Sequence, residues 1–301
     1  MDLFLQQLTN GLAVGSIYAL IALGYTMVYG VLKLINFAHG DLFAIGAYLG
    51  LTLLTTFGLS QYLGPMGVVI VLAVMVMGLV AVVGAVLERV AYRPLRQAHR
   101  LSAVVSAMGA SIFFQNALML VYGARYKVYP HDILPKNAVS IMGFEIPLVR
   151  LLVLLTSVLM MVALYLFIQK TRIGTAIRAA AIDQRAAKLM GINVDRVIMI
   201  VFLIGPALGG VAGLMVGLYY GQINFTMGWM YGLKAFTAAI LGGIGNIPGA
   251  MVGGLLLGVI EAMGAAYISI AWKDAITFMV LIAILIVRPT GLLGERVADK
   301  V

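Results

Sequence analysis

KTRIGTAIRAAAIDQRAAKLMGINVDR, residues 170–196, stands between two long apolar runs. It carries six cations (Lys170, Arg172, Arg178, Arg185, Lys188, Arg196) against Asp183 and Asp195. A helix-forming segment with this much charge must lie outside a bilayer, because one charge at the hydrocarbon centre costs about 2.5–3.5 kcal/mol. The rest of the chain makes a bilayer the relevant solvent. Of 301 residues, 63% are hydrophobic and 10% charged, and the mean hydropathy is +1.07. Soluble domains carry about 25% charged residues. Apolar runs of about 20 residues, enough to span at 1.5 Å per residue, recur along the chain. They do not alternate as the strands of a membrane barrel would. The fold class is an all-α polytopic membrane protein.

The formal charge of +9 does not point to nucleic acid. Half of the 20 Lys and Arg fall in two short stretches, four in 89–100 and six in 170–196, which is how cytoplasmic loops are marked. Without Cys there is no disulfide, thiolate metal site or cysteine nucleophile. The N-terminus, MDLFLQQLTNGLAVGS, has an acid where a signal peptide needs cations, so the first span is expected to be retained.

Working outward, apolar runs cover about 8–31, 42–57, 68–87, 101–122, 148–168, 197–220, 229–241, 250–266 and 275–287. About nine membrane segments put the N-terminus outside and the C-terminus inside. The runs at 42–57 and 229–241 are short enough to be re-entrant, which leaves eight full spans as the alternative. The chain reads as one transmembrane domain, 1–301. Its external loop, 123–147, holds Pro130, Pro135 and Pro147, too many for a continuous helix, and could form a hairpin about Met142-Gly143. Small residues recur every fourth position on three runs: Gly11, Gly15 and Ala19; Gly205, Gly209, Gly213, Gly217 and Gly221; Gly254, Gly258, Ala262 and Ala266. Such faces let a neighbouring backbone approach closely.

An internal repeat emerges when residues 35–49 (INFAHGDLFAIGAYL) are set against 223–237 (INFTMGWMYGLKAFT), 188 positions later. Ile, Asn, Phe, Gly and Ala coincide, and Arg93-Pro94 and Arg288-Pro289 close the two units at nearly the same offset. Units of about 8–95 and 197–290 are related by inverted topology, with broken helices near a pathway, as in many transporters.

Little conventional chemistry is present. Residues 228–234 (GWMYGLK) lack the Gly-Lys-Ser/Thr ending of a phosphate-binding loop, and His39, His99 and His131 are scattered, against a metal site. What remains is polar residues in apolar surroundings: Asp41, Glu88, Lys234 and Glu261. Glu88 is expected to pair with Arg89, Lys234 to snorkel and Glu261 to hydrogen-bond across helices. Asn36, His39 and Asp41 either line a hydrated path or, through Asp41, cap a helix that starts at about Leu42. Asn224 has the same two readings, and Trp229 joins it as a pathway candidate. In the charged segment a helix after Gly174, ending at Gly191, would carry Ala179, Ile182, Ala186 and Leu189 on one face, with Arg178, Asp183, Arg185 and Lys188 mainly off it. It either lies on the membrane surface or docks into a groove of a soluble partner.

GLAVGSIYALIALGYTMVYG (11–30), INFAHGD (35–41), ERVAYRPLR (88–96), RAAAIDQRAAKLMGIN (178–193) and KAFTAAILGGIGNIPGA (234–250) resemble the LivH-type permease of branched-chain amino acid ABC importers. The resemblance runs nearly end to end. It implies a non-enzymatic permease subunit in the bacterial cytoplasmic (inner) membrane, in contact with lipid. Its partners would be a second homologous permease, two cytoplasmic ATPases and an external binding protein. ATP and Mg would be bound on the ATPases and no cofactor on this chain. By the same resemblance, Ala180 to Gly191, with Arg178, Asp183, Arg185 and Lys188, is the coupling helix that enters the ATPase groove. The general importer loop has Glu-Ala-Ala before its glycine, whereas Ala179-Ala180-Ala181 stand here and Asp183 is the nearest acid. Leucine, isoleucine, valine or similar amino acids are the implied cargo. Permeases for urea or short amides share much of the pattern. An ion-coupled secondary transporter using His39, Asp41 and Glu261 is the rival class, and an accessory subunit without a path is the plainest one.

Overall fold

The structure of the protein, a computed structural model, describes residues 2–58, 62–96, 98–130, 138–141 and 144–294. Every apolar run forms a helix: α1 (Asp2–Leu32), α2 (His39–Phe57), α3 (Pro65–Leu87), α4 (Arg100–Tyr122), α5 (Leu148–Lys170), α8 (Val194–Tyr220), α9 (Met227–Gly242), α10 (Ile247–Tyr267) and α11 (Lys273–Val287). The charged segment adds α6 (Arg172–Ile182) and α7 (Gln184–Leu189). Among the described residues two minimal antiparallel ladders accompany the helices. β1 (Lys127–Val128) pairs with β4 (Gln222–Ile223), and β2 (Ala138–Ile141) with β3 (Phe144–Pro147). The second ladder is the expected hairpin; its turn at Met142-Gly143 lies outside the described residues, as does His131.

The expected count of nine spans is not met by length. Among the described residues seven helices, α1 to α5, α8 and α10, are long and apolar enough to cross a bilayer. At 16 and 15 residues, α9 and α11 reach only about 24 and 22 Å, against a hydrocarbon core of about 30 Å. The run at 42–57 is not one of the short ones: α2 gains His39 to Asp41 at its start and extends over 19 residues.

One end of the bundle gathers the charged connections. Gln184 Nε2 donates to Val31 O at the end of α1 (2.7 Å), and Arg96, after α3, pairs with Asp195 in the first turn of α8 (2.5 Å). Leu292 N–H donates to Leu241 O (2.9 Å), so the chain after α11 returns to the same end. The two basic stretches, far apart in sequence, therefore meet in space.

Glycines decide which helices touch. The face Gly11, Gly15, Ala19 on α1 packs against Gly254, Gly258, Ala262 on α10, running antiparallel: a Cβ on Gly15 would lie 2.8 Å from Leu255 O, and one on Gly11 2.8 Å from Val259 Cα. The ridge on α8 receives α2, with Gly209 under His39 and Gly213 and Gly210 against the backbone of Phe43 to Ala47 and the Val80 side chain. Close packing is thus the use of these stripes. With no hydrophobic drive between helices in lipid, dispersion contacts of this kind hold the bundle. Burial follows: the apolar window of α1 is 94% buried and that of α4 only 17%, so α1, α2 and α8 form the centre and α3, α4 and α5 the flank. Gly15→Val should cost about 1–3 kcal/mol through overpacking, read as a lower thermal midpoint in detergent. Gly109→Ala, where a Cβ meets nothing within 4 Å, should leave the midpoint unchanged or raise it slightly, since glycine inside a helix is worth about 0.5–1 kcal/mol less than alanine.

Candidate functional site

Both Ile-Asn-Phe segments break the helical path in the same way. Each leaves a helix end, makes one turn and starts a new helix. His39 N–H donates to Asn36 O (3.1 Å) and Met227 N–H to Asn224 O (3.3 Å). Ala38 and Thr226 are the N-caps, both with helical backbone angles and no side-chain cap bond. Gly40 and Gly228, 188 residues apart, occupy equivalent places in the first turns of α2 and α9, and those turns pack on each other. A Cβ on Gly40 would lie 2.9 Å from Gly232 Cα, and one on Gly228 would lie 2.7 Å from Gly40 O. Contact between equivalent residues is what a two-fold axis between inverted units produces. The closing dipeptides fit the repeat less well, since Arg93-Pro94 follows the third helix of its unit and Arg288-Pro289 a fourth, α11.

This crossing lies deep in the bundle. His39 is fully buried; its ring packs edge-on against Tyr25 (4.7 Å between centroids) and lies 3.5 Å from where a Cβ on Gly209 would stand. A Cβ on Gly24 would collide with the same ring. Gly24 is eight residues before the end of α1, or about 12 Å along the axis. Asp41 does not cap a helix starting at Leu42, because α2 already starts at His39. Instead Asp41 Oδ2 accepts a 2.5 Å bond from Ser111 Oγ of α4, and a Cβ on Gly228 would stand 2.8 Å from Asp41 Oδ1. The carboxyl thus sits buried where two helix N-termini, whose dipoles attract an anion, converge. Asn36 is buried and accepts a 2.8 Å bond from the Tyr92 hydroxyl. On the second break Asn224 is half-buried, accepting from Thr226 Oγ1 (3.3 Å), and Trp229 is 50% exposed. Asn36, His39 and Asp41 are therefore core groups, whereas Asn224 and Trp229 reach the surface. Trp229 borders a small cleft, with room of about 40 Å³, formed with Tyr25, Ile35, Phe37, Leu233 and Phe236.

The charged segment forms two helices, not one. Thr171 Oγ1 accepts from Gly174 N–H (3.0 Å), which starts α6 before Gly174. At Asp183 the backbone is extended, and its carboxylate caps α7 by accepting from Arg185 and Ala186 N–H at 2.7 and 3.1 Å. Gly191, at φ +83°, ends the pair as expected. Ala180 is buried, and Arg178 donates to Gln169 Oε1 (2.6 Å). Arg185 and Lys188 are exposed. So are Ile182, Leu189 and Met190, each more than 80% accessible. Three large apolar side chains projecting from a charged segment are an uncovered contact surface.

Two polar networks escape a sequence reading. Glu88 is fully buried and pairs with Arg96, not with the adjacent Arg89. It opens a π-helical turn, Glu88–Tyr92, that prolongs α3 and also carries Tyr92. Asp195–Arg96–Glu88 and Tyr92–Asn36 thus run from the exit of the charged segment to the first break. The second network surrounds Lys234, which is ion-paired rather than snorkelling: Glu261 at 2.7 Å and Asp274 at 2.7 Å, with Lys273 3.5 Å from Glu261. Tyr18 OH donates to Glu261 Oε2 (2.8 Å), so Glu261 does bridge helices as expected. Directly bonded partners here lie up to 243 residues apart in sequence; the signal available was charge within apolar runs.

A family described as the permease component of branched-chain amino acid transport systems matches residues 7–285. The chain belongs to this family. Among its relatives, the high-affinity branched-chain amino acid transport system permease protein BraD of Pseudomonas aeruginosa is 47% identical over 99% of this chain and 98% of its own length. The permease protein LivH of Escherichia coli K12 is 45% identical over the same shares, and a probable LivH of Methanocaldococcus jannaschii is 28% identical over 95% and 91%. No solved structure matches the chain. This is a multi-pass permease subunit of an ABC importer, a protein of the bacterial inner membrane.

The buried ion cluster yields a direct expectation. Glu261→Leu removes the partner of Lys234 on α10 and strands the Tyr18 hydroxyl, which should cost about 3–5 kcal/mol. Thermal unfolding of the purified permease measures it; an unchanged midpoint would show that Asp274 alone satisfies Lys234.

Proposed function

We propose that this permease carries branched-chain amino acids inward by alternating access, driven by separate ATPase subunits that grip α6 and α7. The observation that carries the reading is the uncovered trio Ile182, Leu189 and Met190 on the cytoplasmic segment. The sequence carries no Gly-x4-Gly-Lys-Ser/Thr pattern, which fits energy entering through a contact, and a small helix with an apolar tip and flanking Arg185 and Lys188 is suited to a groove. Two ATPases, a second homologous permease and an external binding protein complete the assembly, with ATP and Mg held on the ATPases. The assignment of leucine, isoleucine or valine as cargo follows the branched-chain amino acid transport for which its relatives are named.

In this mechanism ATP binding pushes on α7, with Arg178, Ala180, Asp183 and Gly191 shaping the segment that receives the push. Gln184, bonded to Val31 O, passes displacement to α1. Asp195, through Arg96 and Glu88, passes it to the π-helical turn, and Tyr92 hands it to Asn36. The response is a rocking of α2 against α9 about the Gly40–Gly228 crossing.

Ile182→Asp with Leu189→Asp should leave folding intact, because both side chains face solvent, and should lower ATP-driven leucine uptake into proteoliposomes by about tenfold or more, the effect of losing a contact hot spot. Uptake that persists without ATP and collapses with an uncoupler would overturn the mechanism in favour of ion coupling. Tyr92→Phe should lower the leucine moved per ATP hydrolysed while ATP hydrolysis continues; an unchanged ratio would remove Tyr92 from the relay.

A further inference from the structure

We propose that the basic cavity between the foot of α3 and the start of α8 binds the phosphate headgroup of an anionic phospholipid from the cytoplasmic leaflet. Size is the first argument. The cavity offers room of about 300 Å³, at the lower end of the range for ligand sites, about 300–1,000 Å³. Charge is the second. Arg93, Arg96 and Arg196 line it together with Glu88, Asp195 and Asn193. Arg96 is committed within the protein, held by the buried Glu88 and by Asp195. Arg93 and Arg196 are exposed and have no ion pair among the described residues. One stands on the turn after α3 and the other in the first turn of α8. Three guanidiniums against two carboxylates leave one positive charge over, which the single negative charge of a phosphodiester balances. A guanidinium fork also matches two phosphate oxygens at once.

Depth identifies where the phosphate comes from. Ile70, Val74, Val82, Val86 and Val90 form a row of every fourth residue along α3 and its π-helical turn, each more than half exposed. Gly78 fills the remaining place in the row, and a Cβ there would meet nothing within 4 Å. From Ile70 to Val90 the row is about 30 Å long, one hydrocarbon thickness. Arg93 follows three residues later and so stands at the level of the lipid phosphates. The charged connections at this end mark it as the cytoplasmic side, where basic pockets between spans hold anionic headgroups. The surface offered to a soluble partner is of another kind. The exposed trio on α6 and α7 is apolar, whereas the cavity is lined, among the described residues, by six polar or charged residues and Met199. A phosphate shared by Arg93 and Arg196 ties the foot of α3 to the start of α8, beside the Asp195–Arg96–Glu88 chain. Occupancy therefore stabilises the arrangement of these two helices seen here.

The test uses the complete importer purified in detergent and reads binding as the rise in its thermal midpoint. It is titrated with phosphatidylglycerol, with phosphatidylcholine and inorganic phosphate as separate arms. Phosphatidylglycerol should raise the midpoint saturably, and phosphatidylcholine, which has no net charge, should not. Arg93→Gln with Arg196→Gln should weaken phosphatidylglycerol binding about tenfold or more, the scale of two lost cations at a membrane surface. Lys170→Gln with Arg172→Gln, which removes two exposed cations from the same end, should leave it unchanged. Arg93→Lys with Arg196→Lys keeps the charge and should keep most of the affinity, which separates lost binding from lost folding. An equal loss in the two Gln pairs would reduce the effect to general surface attraction and overturn the proposal. Inorganic phosphate that saturates the site and blocks the lipid response would assign the cavity to a soluble anion. Loss of a partner subunit from the purified Arg93→Gln, Arg196→Gln importer would assign it to a carboxylate of that subunit. Either result overturns the proposal as well.

Discussion

Two helix N-termini meet inside this protein, and the space between them admits no side chain. Gly40 and Gly228 set that distance. The arrangement brings the positive ends of two helix dipoles together in a medium with little screening. Asp41 lies at the junction, braced by Ser111, and the surrounding helices clamp both starts. α8 offers its glycine ridge to α2, α10 its small-residue face to α1, and α1 presents Gly24 to the His39 ring. Take away the glycines and these clamps cannot close.

Much of this was legible in the sequence, and the limits are instructive. The helix inventory followed from apolar runs, because a bilayer forces every spanning backbone to satisfy its own hydrogen bonds. The stripes on α1 and α10 announced close packing, but nothing in either stripe said that they pack on each other. Alignment of 35–49 with 223–237 located both breaks. Helix starts were less accessible: Ala38 and Thr226 make no side-chain cap bond, so the usual cap signal was missing and Asp41 attracted it wrongly. The split at Asp183 shows the reverse case. There a good capping residue stood inside an apparently continuous helical pattern, and the cap won over the periodicity.

Charge pairing was the least legible layer. Arg89 is the neighbour of Glu88 in sequence, but adjacent residues on a helix point apart, while the turn structures after Leu87 bring Arg96 back over the carboxylate. Lys234 looked able to reach the interface, and the structure gives it Glu261 and Asp274 instead. A buried charge cluster adds little net stability compared with apolar packing. Its contribution is registry, since it fixes α9, α10 and α11 relative to Tyr18 of α1. The candidate site divides along the same line. Asn36, His39 and Asp41 stood out as polar anomalies and lie buried, whereas the apolar residues around the cleft carried no anomaly by which to find them.

The shortness of α9 has a consequence for the cell. A helix of 16 residues leaves the stretch before it non-helical, and backbone of that kind at membrane depth has to be buried in protein or face water. A subunit that covered this stretch in the assembled importer would stabilise the folded state by association, in the mass-action sense. Copies made in excess of such a subunit would then be the less stable population, so the length of one helix would bear on how many copies of the chain persist.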